Sequence, residues 1–401
     1  MKLNHHSVGL VFIVAFLSML GPFSIDTYLP SFPAIENEFS VNRALLSQTI
    51  AWYLVATAMA ILFWGPLSDR IGRKAVILIT LALYLLASLG CALATDYHRF
   101  LLARILQGVA ASGGLVAGRA MIRDAHDSRG AHQAMSMVLM LFALAPAIAP
   151  IIGGWLHDAC GWRSIFYFLA IYAAVFLLIS MFFLDETLLR EKRRSFHPWY
   201  VLGVYMQTLL HTEFLMLVLS LGTGFAGLFI YIAGSPTIMF EFLGLQSTDF
   251  AVQFVPMTLG IIVGSWLSGR LSEKWTKRRI IYLSFCIMFV ASLFNLLQAR
   301  YMSPTVFTVI LPIVVYAFGV AMSMPAFSVL AIDQFPGNKG AAAAVQAFVQ
   351  IIFSAWAAGG ILVIIRQSLF DFALAQIFLL SISAGFWVMY IVARSAKNRA
   401  S

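Results

Sequence analysis

Stretches of about 20 mostly apolar residues recur every 30 to 35 residues along this chain, and that recurrence leaves few folds open. In hydrocarbon a segment must satisfy its own backbone N–H and C=O groups, which only helices and closed barrels do. The spans are Val8–Tyr28, Gln48–Trp64, Ala75–Ala94, Phe100–Met121, Met135–Leu156 and Ile165–Leu184, and, after a polar break, Phe214–Ile238, Phe250–Leu267, Ile280–Leu297, Val306–Leu330, Ala341–Ile365 and Phe372–Ala393. None shows strand-like alternation, so all twelve predict helices. Twelve crossings need roughly 240 apolar positions, and 61% of the 401 residues are hydrophobic against 11% charged. About 150 residues then remain for loops and tails, too few for an added soluble domain of ordinary size. A secreted enzyme, a nucleic-acid-binding domain and a disordered protein are excluded together. The reading is an all-α polytopic membrane protein. The first span is led only by Lys2, and Leu20-Gly21-Pro22 is not a small-x-small cleavage site, so it is expected to stay in the mature protein. Cys91, Cys160 and Cys286 offer neither metal-ligand spacing nor a disulfide framework.

Orientation follows from the basic residues, which favour the cytoplasmic side. With the amino end inside, that side carries Lys2; Arg70, Arg73 and Lys74; Arg119, Arg123 and Arg129; Arg190, Lys192, Arg193 and Arg194; Arg270, Lys274, Lys277, Arg278 and Arg279; Lys339; and Arg394, Lys397 and Arg399. These are 20 of the 26 Lys and Arg; Arg43, Arg99, Arg104, Arg163, Arg300 and Arg366 are the other six. Both termini are expected in the cytoplasm, and the net charge of +9 needs no nucleic-acid partner. The longest polar stretch, Asp185–Pro198, lies near the midpoint and divides the chain into an N-terminal six-helix half (1–184), a cytoplasmic linker (185–210) and a C-terminal six-helix half (211–401). Gly65-Pro66-Leu67-Ser68-Asp69-Arg70-Ile71-Gly72-Arg73-Lys74 after the second span has a copy, Gly269–Arg278, after the eighth, offset by 204 residues. The halves are therefore expected to be pseudo-symmetric.

Several residues stand out on chemical grounds. Gly65 and Gly72 suit a tight turn between two helices, because glycine takes backbone angles other residues resist. Asp69 sits among Arg70, Arg73 and Lys74, and Asp124 ends the fourth span on the same side, so an Asp69–Arg73–Asp124 cluster is expected. Asp26 lies about 27 Å along the first helix, a depth at which ionisable side chains are rare and face a cavity or a partner; the other reading is an outer helix end in water. Arg104 lies about 9 Å into the fourth span, at comparable depth. It is either a fixed cation organising a site or a structural ion pair. Gln107 shares its face and either binds substrate or packs. Pro146, Pro150, Gly153 and Gly154 disrupt one helix repeatedly, which reads as a functional bend or a static kink. Tyr28, Trp52, Tyr53 and Tyr231 are cavity candidates or members of an interfacial belt. Glu213, Glu241, Asp249, Asp333 and Asp371 all fall near span ends, so proton coupling is assigned to the first half, to Asp26 with Arg104. The chain has no G-x4-G-K-(S/T) run for ATP and no H-E-x-x-H zinc site.

The Gly65–Lys74 stretch resembles the loop signature G-x-L-(A/S)-D-(R/K)-x-G-R-(R/K) of the major facilitator superfamily, and Arg104-Ile105-Leu106-Gln107-Gly108 resembles its fourth-helix motif. Ala145–Gly154 is similar to the fifth-helix motif of its antiporters. Asp26-Thr27-Tyr28-Leu29-Pro30, Arg123-Asp124 and Gly161-Trp162-Arg163 resemble the Bcr/CflA group of drug:proton antiporters. The second copy of the loop departs from the signature at Glu273 and Thr276. The resemblance implies the major facilitator fold, two like-oriented halves and alternating access. It implies that Gly65, Asp69, Arg70, Gly72, Arg73, Lys74 and Asp124 form a conformational latch. The expected function is proton-coupled export of small lipophilic or cationic compounds, with Asp26, Tyr28, Tyr53, Arg104, Gln107 and Tyr231 binding substrate. Transport of a metabolite such as a nucleoside or sugar is the alternative. A membrane-embedded enzyme would need an acid/base or nucleophile cluster, and none is evident beyond the turn motifs. No catalytic residue, metal or cofactor is expected, only the proton gradient. The expected partners are a small-molecule substrate, protons and the lipid bilayer, for a monomer in the cell inner membrane.

Overall fold

The computed structural model describes residues 5–193, 198–365 and 368–400. Lys2, Arg194 and Arg366 of the basic set lie outside the described residues, as do the side chains of Arg129, Lys192 and Arg399. Among the described residues there is no strand, and twelve helices are long and apolar enough to cross a membrane. The chain forms two compact units, Met1–Val201 and Leu202–Ser401.

The first unit holds α1 (His5–Asp26), α2 (Phe32–Phe39), α3 (Arg43–Ile71), α4 (Arg73–Ala92), α5 (Tyr97–Ala125), α6 (Ser128–Cys160) and α7 (Arg163–Phe183). The stretch expected as linker contains a helix, α8 (Pro198–Leu210). Pro198 suits a first helical turn because its missing N–H would be unpaired there anyway, and the residues after it are mostly apolar. At 13 residues α8 is too short to cross, and Trp199 and Tyr200 on it are exposed. The second unit holds α9 (Thr212–Ala233), α10 (Ala251–Ser272), α11 (Lys277–Tyr301), α12 (Val306–Ile332), α13 (Lys339–Trp356), α14 (Leu362–Ile365) and α15 (Leu369–Ala400).

Each unit packs by the same scheme. In the first, α3 and α4 flank α5, α1 lies on α5 and α6, and α4 packs on α7. In the second, α10 and α11 flank α12, α9 lies on α12 and α13, and α11 packs on α15. The repeat seen at the two turns thus extends to the helical bundles, except that α15 packs chiefly on α9 whereas its counterpart α7 packs chiefly on α4. Side chains facing away from the bundles are large and apolar, among them Leu86, Ile171, Phe182, Val290 and Phe378, each more than 60% exposed. Such surfaces suit lipid and not water.

The first crossing is longer than its apolar span and is broken. It runs Val8–Phe39 rather than ending at Tyr28. Pro22 is accommodated inside α1, whereas Pro30 falls in a single 3-10 turn (Leu29–Ser31) between α1 and α2. Asp26 is the last residue of α1, with 13 further residues of the crossing beyond it. The seventh crossing breaks at the matching place. There α9 ends at Ala233, Gly234-Ser235-Pro236 follows, and the wide π turn Thr237–Phe242 carries the chain on.

The α3–α4 turn is one residue, Gly72, at φ +109°. An added Cβ there would also strike the Glu186 carboxylate. Gly65, by contrast, lies inside α3, where a Cβ would meet only Val116 at 3.7 Å. The turn therefore needs one glycine, not two. Gly72→Ala is expected to cost about 1–3 kcal/mol through backbone strain, and Gly65→Ala to be neutral or slightly stabilising. Thermal unfolding of the two variants in detergent checks the difference, and equal midpoints would refute it.

Candidate functional site

Asp26 and Arg104 are both buried in the first unit, at 4% and 0% exposure, but the expected proximity does not become an ion pair. The Asp26 carboxyl has no ion-pair or hydrogen-bond partner among the described residues. Tyr53 lies within electrostatic reach of both residues. The position of Asp26 depends on α6. Gly153 packs against the Thr27 carbonyl so closely that any Cβ would collide with it, and the Thr27 hydroxyl bonds back to the Phe23 carbonyl at 2.5 Å. The outer-helix-end reading of Asp26 is set aside: the residue closes a helix segment within the bundle.

Arg104 is held on three sides. Its guanidinium carbon lies 4.6 Å from the centre of the Tyr28 ring and 4.5 Å from that of Tyr53, distances typical of cation–π contact. Its Nη1 donates to the Gln107 Oε1, and the Gln107 Nε2 donates to the Ser88 Oγ at 2.9 Å. Gln107 therefore holds the arginine. Tyr28 is fixed through a 2.9 Å hydrogen bond to Thr49, and Tyr53 by Gly108, whose missing Cβ lets α5 meet the Tyr53 carbonyl. The spacing Arg104-x-x-Gln107-Gly108 has a physical logic: a cation, its clamp one turn on, and a glycine that brings the covering ring close. Arg104 Nε and Nη2 have no hydrogen-bond partner among the described residues. Trp52 is 49% exposed, outside this cluster.

Tyr231 belongs to the second unit and is described there. Its hydroxyl accepts from Asn295 Nδ2 at 2.6 Å and its carbonyl from Gln253 Nε2 at 2.8 Å. Asn295 also donates to the Gln376 Oε1 at 3.0 Å and accepts from Gln298 at 3.1 Å. All five residues are at most 3% exposed. The cluster is polar and uncharged.

At the α3–α4 turn, Arg73 contacts Asp69 at 2.5 Å, Asp124 at 3.2 Å and the Ser68 hydroxyl at 2.5 Å. Arg73 is buried while the acids are partly exposed, so this is one arginine neutralised from two helices. Arg70 is exposed and outside the cluster, and Lys74 donates to the Met181 carbonyl at 3.0 Å. The second copy is weaker: Lys277, 204 residues after Arg73, meets Asp333 at 3.2 Å on the surface. Helix α6 runs unbroken through Pro146 and Pro150. Gly154 beside Gly153 is buried.

The pattern that identifies major facilitator proteins matches residues 11–361 of this chain. The chain belongs to the major facilitator superfamily. An MFS-type transporter of Bacillus subtilis strain 168, YdgK, is 30% identical over 86% of this chain and 86% of its own length. A bicyclomycin resistance protein homologue of Haemophilus influenzae is 26% identical over 74% of this chain and 75% of its own. These relatives agree with the resemblance to the Bcr/CflA group. In structure, the chain is similar to the xylose transporter XylE from E. coli in a partially occluded inward-open conformation. The TM-score is 0.73 at 13% identity, covering 96% of this chain and 98% of that one.

Within this superfamily member, one residue of the turn escaped the sequence reading. Glu186 accepts from the Arg73 N–H at 3.0 Å and the Lys74 N–H at 3.3 Å, capping α4 where the helix dipole favours an anion. Its only signal was an acid two residues after the sixth span, beside a strongly basic face. The carboxamides Gln253, Asn295, Gln298 and Gln376 escaped as well, because polar uncharged residues inside apolar spans give no charge signal. Removing the clamp on Arg104 is the direct check on the first cluster. Gln107→Leu should cost about 1–3 kcal/mol, leaving a buried donor and the Ser88 hydroxyl unpartnered, whereas Gln107→Glu should fold at least as stably as wild type. Denaturation midpoints in detergent read the contrast, and a neutral Gln107→Leu would overturn the clamp.

Proposed function

We propose that this protein is a proton-coupled secondary transporter that exports small lipophilic or cationic compounds by alternating access. The observation that carries the reading is Asp26, a buried carboxyl without a hydrogen-bond or ion-pair partner among the described residues, placed where the first crossing is broken. Broken helices at matching places in two halves are where transporters of this kind build their sites, and an intramembrane acid there is a natural proton carrier. The bicyclomycin-resistance homologue supports export of drug-like compounds. Membership of a transporter family supports a carrier rather than an enzyme, needing no cofactor beyond the proton gradient. The concentration of basic residues in alternate loops supports a multi-pass protein of the cell inner membrane with both termini in the cytoplasm. We take the protein as a monomer.

A second reading, transport of a neutral metabolite such as a sugar or nucleoside, is favoured by the uncharged Tyr231–Asn295–Gln298–Gln376 cluster, which suits hydroxyl groups.

Proton coupling at Asp26 is tested by substrate-induced proton release from the detergent-solubilised protein, after a ligand screen of lipophilic drugs against sugars and nucleosides. Asp26→Asn should lose the release and the pH-driven vesicle flux while still binding neutral ligands. Undiminished release in the variant would reject the assignment, and a chemically converted product without gradient-linked flux would reject a transporter altogether.

The latch proposed for Asp69, Arg73 and Asp124 acts on the balance between conformations and not on the ligand site. Asp69→Asn should therefore lower vesicle transport by about tenfold, the size of effect expected from losing one charge-assisted contact, with direct ligand binding nearly unchanged. Parallel loss of binding and transport would count against the latch.

A further inference from the structure

We infer that Arg104 is the docking point for a carboxylate carried by the transported solute. The inference rests on the transporter reading above and, at this site, replaces its cationic solutes with carboxylate-bearing ones. Nη1 of the guanidinium is occupied by Gln107, and the Tyr28 and Tyr53 rings lie against the group. What remains is Nε and Nη2, both buried and both without a hydrogen-bond partner among the described residues. These two nitrogens carry the N–H bonds of one edge of the guanidinium plane. That edge is the one a carboxylate meets with two parallel hydrogen bonds. The side chain is fully buried, and a buried cation without a counter-charge is strongly unfavourable.

Among the described residues, no ion pair joins an acid to Arg104. Asp26 makes no ion pair, and the paired acids of the first unit, Glu36, Glu38, Asp69, Asp96, Asp124 and Glu186, are paired with arginines other than Arg104. A cationic solute would be repelled here, and a neutral one would leave the charge uncompensated. A solute bearing a carboxylate supplies the missing charge and both acceptors in one plane, and an aromatic body beside it would stack on Tyr28 or Tyr53. Asp26 then remains free to carry the proton. The pattern distinguishes arginine from lysine, because a lysine at this position would supply charge without the two-donor edge.

The test uses the full chain in detergent with benzoate and its neutral isostere benzamide, measured by titration calorimetry at about pH 7, where benzoate is ionised. Benzoate should bind wild type about tenfold or more tightly than benzamide, as expected for charge-assisted bidentate pairing. Arg104→Gln should abolish that preference, Arg104→Lys should weaken benzoate by about tenfold, and Asp26→Asn should keep the preference. Equal binding of the two probes to wild type overturns the proposal whether or not the variants fold. A preference surviving Arg104→Gln overturns it too, as does chloride or inorganic phosphate binding as tightly as benzoate. A benzoate preference that emerges only in Asp26→Asn would show that Asp26 is the arginine's counter-ion and would likewise refute it. Loss of pH-driven flux of a neutral drug, with the benzoate preference intact, removes the export reading and leaves the carboxylate site standing.

Discussion

Inside a bilayer a polar group is satisfied by the protein or not at all, so each charge placed there has to be explained by what touches it. Arg104 meets this condition with one clamp and two aromatic rings, and it leaves one edge open. The surrounding bundle is arranged around that residue. Gly108 brings Tyr53 against it, Thr49 holds Tyr28 against it, and Ser88 holds the glutamine that clamps it. None of these contacts contributes much alone. Together they fix the plane of a buried cation, which a flexible arginine would not maintain unaided.

The same constraint explains the turn between α3 and α4. Arg73 is as deeply buried as a core side chain, yet it is fully compensated by Asp69, Asp124 and Ser68. Glu186 adds a carboxylate to the exposed N–H groups at the start of α4 and to Arg193. This charge network is closed within one unit and ties the start of α4 to α3 and α5. At the equivalent position of the second unit, Lys277 and Asp333 are about half exposed, and pairs of that kind contribute little. Similar sequences at a half-chain offset thus yield one buried network and one surface pair, because among the described residues the first copy has acids on two helices directed at one arginine and the second has one acid on a lysine.

The helical class, the twelve crossings and the repeat were legible in the sequence because they depend on period and composition, which lipid reads directly. The Asp69–Arg73–Asp124 grouping was legible because opposite charges at one membrane face have few places to go. Three features were hidden for physical reasons. The extension of the first crossing to Phe39 was obscured by Pro30 and by the polar run Glu36-Asn37-Glu38. Glu38 in fact accepts from Trp162 at 2.6 Å and pairs with Arg163 at 2.6 Å. The helix α8 was hidden inside a stretch read as linker, since 13 residues are too few to register as a span. The lack of an ion pair between Asp26 and Arg104 was hidden because depth along two helices says nothing about which way their side chains turn.

The two units differ most in what they bury. The first contains a lone acid and an arginine with an open edge, whereas the second contains a phenol and four carboxamides with no charge among them. The corresponding helix breaks sharpen the contrast. Residue 231 is 204 positions after Thr27, so Tyr231 occupies the place next to the one Asp26 holds in the first unit. At that point of the repeat one half carries an ionisable group and the other a hydroxyl. A duplicated bundle with charges in both halves would have to compensate each of them in each conformation it adopts. Confining Asp26 and Arg104 to one unit limits that burden to one set of contacts. The second unit is then left to offer hydrogen bonds whose strength does not depend on protonation.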